Sequence, residues 1–169
     1  LADLTSQTLT TLLENTLWNG IRVFVIEQCA DMNWDLVDER VETIYIDEEF
    51  NYNRFANIGA IKGRNKWICI ANNDLIFTED WFDELMKANY PIVSPKCTDD
   101  KRQLLFSHNA VGTEVGKHLS GWCFVIQRKL FTEIGGFDED FPFWCADNSL
   151  MEQLIQIGIH PMLVPKSIV

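Results

Sequence analysis

The feature that most restricts this chain is an alternation of two periods. Stretches with apolar residues every three to four positions take turns with short β-branched and aromatic runs, which predicts an α/β fold with a mainly parallel central sheet flanked by helices. In "LADLTSQTLTTLLENTLWNG" Leu9, Leu12, Leu13 and Leu17 share one helical face, and Gly20 stands where a glycine ends a helix. The runs "IRVFVIEQ" (21–28) and "VETIYID" (41–47) predict strands, each delivering a carboxylate, Glu27 or Asp47, at its C-terminal end. "NRFANIGAIKGRN" predicts a helix with Phe55, Ile58 and Ile61 inward, and "KWICIA" is a continuous apolar run, as in a strand covered on both sides.

The remainder continues the pattern. Thr78 is placed to cap a helix carrying Trp81, Phe82, Leu85 and Met86, and "PIVSP" predicts a short strand. Residues 97–119 lack periodicity and read as a long loop, a length that in compact domains is often functional. The last third predicts a strand from Gly121, a short helix, a Gly-Gly turn, an aromatic loop, a helix ended by Gly158 and a final strand "PMLVP". No Pro/Gly/Ser-rich linker divides residues 1–169, so one domain is expected.

Composition narrows the class of function. With 47 % hydrophobic and 12 % aromatic residues the chain can bury a core, and its net charge of −11 repels nucleic acid and anionic membrane surfaces. No apolar run reaches the ~20 residues that span a bilayer. The five cysteines contain no C-x-x-C and suggest neither a disulfide framework nor a zinc site; they read as reduced, mostly buried thiols of a soluble, cytoplasmic protein.

In open sheets of this kind ligands sit outside the carboxyl ends of the strands, where Glu27, Asp47 and the "NND" of "IANNDLIF" (70–77) all belong. Asn and Asp also favour turns for local reasons, but three carboxylates on one rim point beyond that. The ordered set "NIGAIKG", "WICIANNDLIF", "GWCFVIQRKLFTEIGGFDEDF" and "WCADNSLMEQL" resembles the family 2 glycosyltransferases and their relatives of GT-A fold, over nearly the whole chain from Gly20 onward.

That resemblance implies a single GT-A (Rossmann-like) domain that takes a nucleotide diphosphate sugar, a UDP-sugar in the first instance, and passes the sugar to an acceptor hydroxyl. Asn72, Asn73 and Asp74 match the family's D-x-D variant, with Asp74 at the metal-binding position and Asn72 near the ribose or metal. Glu27 matches the acidic residue that contacts the nucleoside, Asn57 and Gly63 the helix beside the base and ribose, Gly121 and Trp122 the wall around donor sugar and acceptor, and Asp147 the catalytic aspartate. Ala146 replaces the usual acidic neighbour of that aspartate. The family's first strand, ahead of the helix beginning near Thr5, and its late metal-binding histidine have no counterpart here, so a domain truncated at both ends is expected; His160 precedes the final strand and does not match.

The residues support the same chemistry independently. A departing diphosphate needs positive charge, and no Gly-x-x-x-x-Gly-Lys loop supplies it. Mn²⁺ or Mg²⁺ held by Asp74, a carboxamide oxygen and the diphosphate does. The acceptor hydroxyl needs a base, and Asp147 is a carboxylate beside Phe141, Phe143 and Trp144, with Leu150, Leu154 and Ile157 anchoring its helix. Helix capping is the plainer use for it. Trp122 and Trp144 suit carbohydrate stacking, whereas Trp18, Trp34, Trp67 and Trp81 suit a core, and His108 and His118 the surface. Two other functions fit less completely. A non-catalytic nucleotide-sugar or carbohydrate-binding module accounts for Ala146, and a nucleotidyltransferase lacks the basic cluster its triphosphate requires.

Overall fold

The computed structural model describes residues 2–169. Helix α1 (Ala2–Glu14) precedes β1 (Val23–Glu27) and β2 (Val41–Tyr45), then α2 (Tyr52–Lys62), β3 (Trp67–Ala71), α3 (Trp81–Lys87) and β4 (Ile92–Lys96). After a long loop containing β5 (Ala110–Val111) come β6 (Cys123–Gln127), α4 (Arg128–Glu133), α5 (Ala146–Gln156) and β7 (Met162–Ile168).

The α/β architecture is the expected one, but the sheet is mixed rather than purely parallel. β1 and β2 pair in parallel, Glu27 beside Tyr45. The other five strands run in the order β3-β6-β4-β7-β5, in which β4 and β7 are parallel while β6 is antiparallel to both β3 and β4. The reversal follows from the long loop after β4, which returns the chain to the carboxyl edge before β6 begins. That edge therefore gathers the C-terminal ends of β3, β4 and β7 with the N-terminal end of β6.

β6 explains why the sheet is stable. Phe124 and Ile126 face a cluster with Ile68, Leu130, Leu150 and Leu154, while Cys123 and Val125 face Phe77, Trp81, Leu85 and Val164. Both faces are covered, and at ~25 cal/mol per Å² such burial is the main force holding the layers together. A third cluster, Leu9, Leu13, Trp34 and Val41, fastens α1 to β1 and β2.

Several local expectations are corrected. α1 ends at Glu14, not at Gly20, because Asn15 donates to Phe77 O and Thr16 accepts from Trp81 Nε1, drawing the chain toward α3 and leaving Leu17 87 % exposed. The inward face of α2 is Asn53, Phe55, Asn57 and Ala60, while Ile61 is exposed. Thr78 does not cap α3: its hydroxyl donates to Ile168 O, and Asp80, in left-handed conformation, holds the cap position. The cysteines are mostly not buried. Cys29, Cys69 and Cys145 are exposed and Cys97 is half-buried; Cys123 alone is enclosed, and burial pushes its thiol up. Trp34 and Trp81 join the core as expected, whereas Trp18 is exposed and His118 is buried. Among the described residues no helix is long and apolar enough to cross a membrane.

Candidate active site

The carboxyl edge joins segments far apart in sequence through backbone contacts. The Asn72 amide donates to Trp122 O at 2.8 Å, which ties the turn after β3 to the start of β6. One residue earlier, Gly121 lies so close to α5 that a Cβ on it would stand 3.2 Å from Asp147 Cβ and 3.3 Å from Asp147 Oδ2. The contact leaves Gly121 little room for any side chain. Tyr52, opening α2, closes the third side: its hydroxyl donates to Gly121 O at 2.6 Å. Enclosure pushes this phenol above its ordinary value, and Cys123 and Asp147 nearby push the same way. The crevice between Tyr52, Gly121, Ala146 and Asp147 holds about 10 Å³, room for no more than a water. A larger ligand can therefore meet Asp147 only from the open rim.

The polar groups of this edge divide into engaged and open ones. Among the described residues, neither the Asn72 side-chain amide nor the Asp74 carboxylate has a hydrogen-bonding or ionic partner, and Asp74 is exposed. Asp147, half-buried in the first turn of α5, accepts one bond from the Asn148 amide. It is not the cap of that helix; Cys145, at φ 65°, holds that position.

Other residues singled out from the sequence are engaged within the fold. Glu27 accepts from the amides of Gln28 and Cys29 and from Trp34 Nε1, so it shapes the loop after β1. Asn73 donates to Thr5 Oγ1 and buttresses α1. Asn57 is 8 % exposed and bonded through both ends of its amide to the Phe137 backbone, with a further bond to Glu139. Gly63 sits at the far end of α2 against Phe24 and Arg128, beside the start of β3. The five residues of β3 separate it from Asn72 by roughly 15 Å. Trp122 is half-buried and packs on the Phe77 and Trp81 cluster, whereas Trp144 is 82 % exposed.

Sequence reasoning overlooked the clamp that builds this edge. Asn51 and Asn53 donate to Glu139 O and Asp138 O, the Tyr52 amide donates to Pro142 O, and Asn51 also caps α2 through the Arg54 amide. The polar run "NYN" at the head of a helix was the available signal. Among the described residues, no three His, Cys, Asp or Glu side chains lie close enough to hold a metal by themselves. The two open oxygen donors, Asn72 and Asp74, suit a hard cation that takes its remaining ligands from a bound phosphate and from water.

A mixed sheet of this order, with its site loop at the carboxyl edge of β3, is the GT-A fold. Two solved structures of that fold superpose on nearly the whole chain. A mannosyltransferase from Pyrobaculum calidifontis, PcManGT, in complex with GDP-Man and Mn²⁺, aligns with a TM-score of 0.77 and 15 % identity over 99 % of this chain and 52 % of its own. GalNAc-T7 with UDP, GalNAc and Mn²⁺ aligns with a TM-score of 0.76 and 13 % identity over 95 % of this chain and 39 % of its own. The chain thus spans about half or less of the proteins it superposes on. No family model and no curated protein matches it in sequence.

Proposed function

We propose that residues 1–169 form one domain of an inverting glycosyltransferase of family 2 type, acting on a nucleotide diphosphate sugar, a UDP-sugar in the first instance. The observation that carries this reading is the joining of the Asn72–Asp74 turn to Asp147 through Trp122 and Gly121. Both solved structures of like fold were determined with a nucleotide ligand and Mn²⁺. In this reading Asp74, with the Asn72 carboxamide, holds Mn²⁺ or Mg²⁺, which supplies positive charge to the departing diphosphate. Asp147 accepts the proton of an acceptor hydroxyl as its oxygen attacks the anomeric carbon. The bond to the diphosphate breaks on the opposite face, and the configuration inverts. Gly121 leaves room for the Asp147 side chain to pack against the start of β6, and Tyr52 fixes the Gly121 carbonyl beside it, so that the acceptor meets Asp147 from the open rim. The exposed thiols Cys29, Cys69 and Cys145 suit a reducing, cytoplasmic setting.

Calorimetric titration of a UDP-sugar with and without Mn²⁺ tests the reading. Metal-dependent binding that Asp74→Ala abolishes is expected. Asp147→Asn should leave binding intact and lower UDP release by ~10²–10⁴. Binding indifferent both to metal and to Asp74→Ala overturns it. A second reading, a non-catalytic nucleotide-sugar or carbohydrate-binding module, is favoured by Ala146, which is 7 % exposed and brings no second carboxylate to the rim. Donor binding without UDP release, whatever acceptor is supplied, would establish that alternative.

A further inference from the structure

Three aromatic side chains stand out from the rim beside Asp147 with no hydrophobic cover. Phe50, Phe143 and Trp144 are 46 %, 54 % and 82 % exposed, and their rings form a row, with centroids 5.9 Å apart for Phe50 and Phe143 and 5.3 Å for Phe143 and Trp144. Exposed rings in contact with one another form a patch that water solvates poorly, and such patches mark binding surfaces. The patch is also rigid. The loop that carries Phe143 and Trp144 is clamped to α2 through Asn51, Tyr52 and Asn53, while Phe50 packs edge-on against the buried Phe55. Immediately after Trp144 the left-handed Cys145 turns the chain into α5, so the row ends three residues from Asp147.

We propose that this ledge is the acceptor subsite, and that the acceptor it takes is an uncharged saccharide chain. The word acceptor rests on the glycosyltransferase reading; the ligand class rests on the ledge itself. Pyranose rings present C–H faces that stack on aromatic rings and hydroxyls that donate to carboxylates. Carboxylates flank the row: Asp47, Glu48 and Glu49 lie before Phe50, and Asp138, Glu139 and Asp140 lie ahead of Phe143. The cation between these runs, Arg54, is held by Glu48 at 2.7 Å and Glu139 at 3.4 Å, and this pairing raises its pKa. Uronates, phosphates and sialylated chains are repelled by such a border. The ledge is a loop without a strand to pair a peptide backbone, which separates it from the common modes of peptide recognition.

The experiment is tryptophan fluorescence and calorimetry without nucleotide, using cellohexaose, chitohexaose and maltohexaose, a hexameric oligogalacturonate, and a hexalysine peptide, backed by an array of neutral glycans. A neutral glycan should bind and shift the emission. Trp144→Ala and Phe143→Ala should each weaken that binding about tenfold or more, with the urea midpoint unchanged. The oligogalacturonate should not bind. Failure of every neutral glycan, binding untouched by Trp144→Ala, or equal binding of the uronate overturns the proposal. Hexalysine binding that depends on Trp144 while neutral glycans fail also overturns it and assigns the ledge to a basic peptide. Saccharide binding in a protein that shows no metal-dependent UDP-sugar binding would keep the ledge and remove the glycosyltransferase reading; the converse result would do the opposite.

Discussion

Replacing Asn57 by alanine separates two uses of one side chain. The resemblance to glycosyltransferases places it beside a nucleoside, whereas the structure has it hold the turn after α4. Asn57 Nδ2 donates to Phe137 O at 2.9 Å and to Glu139 Oε1 at 2.9 Å, and its Oδ1 accepts from the Phe137 amide at 2.8 Å. Phe137 is 4 % exposed, so alanine strands a backbone donor and a backbone acceptor where water enters poorly. Each orphaned group costs about 1–3 kcal/mol, which gives a loss of about 2–6 kcal/mol once Glu139, free to turn to solvent, is left out. In a domain of this size 1 kcal/mol moves Tm by roughly 2–4 °C, so Tm should fall by roughly 4–24 °C. Urea unfolding followed by fluorescence and circular dichroism measures the loss. UDP-sugar affinity, taken at low temperature where the variant is still folded, should stay within about threefold of the original. A stability change under about 0.5 kcal/mol with a tenfold loss of donor affinity would refute the reasoning and put the amide against the nucleotide.

Further outcomes follow from the same contacts. Gly121→Val forces a side chain against Asp147, and since displacements near 1 Å cost about 10²-fold in rate, UDP release should fall at least tenfold with donor affinity unchanged. The exposed Asn148→Ala serves as its control. Trp81→Ala removes a ring that is 1 % exposed, tilted against Phe77 with centroids 4.5 Å apart and bonded to Thr16, and should cost about 3–5 kcal/mol in urea unfolding. Burial lowers the pKa of His118, whose ring lies under Gly112 and edge-on to Phe106. A lowered folded value means that protonation favours the unfolded chain: the His118 contribution is present above the unfolded pKa of about 6.5 and is lost as pH falls below it. Urea midpoints should therefore drop between pH 7.5 and 5.5, less steeply in His118→Gln.

Local pattern made the strands legible. β1, β2, β3 and β6 are short apolar runs bounded by polar or glycine residues, and all lie within the expected segments. Pairing was not legible, because nothing within "CFVIQ" records that it lies antiparallel between β3 and β4; that is decided by a loop whose buried anchor, Gln103, bonds Ser120 and the Cys97 amide. The end of α1 was misplaced for a similar reason. Leu17 continues the helical period, but Thr16 and Asn15 find partners more than sixty residues away, and a fixed tertiary bond outweighs one further helical turn.

The candidate site residues divide by how far the fold engages them, and the division has a physical cause. A motif in sequence marks where a polar residue stands along the chain, while its role depends on whether the fold has already satisfied it. Glu27, Asn57 and Asn73 are candidate ligand contacts by motif, and each also closes hydrogen bonds that a loop or helix needs, so each has a part in the fold whether or not it meets a ligand. Asn72 and Asp74 differ because no described residue bonds their side chains, and Asp147 accepts only from the adjacent Asn148 amide, so a ligand can reach them at little cost to the fold. Open polar groups on rigid elements are what a binding edge requires. Tyr52 adds to this edge in a way that "NYN" alone does not spell out, since its hydroxyl bonds Gly121, sixty-nine residues away.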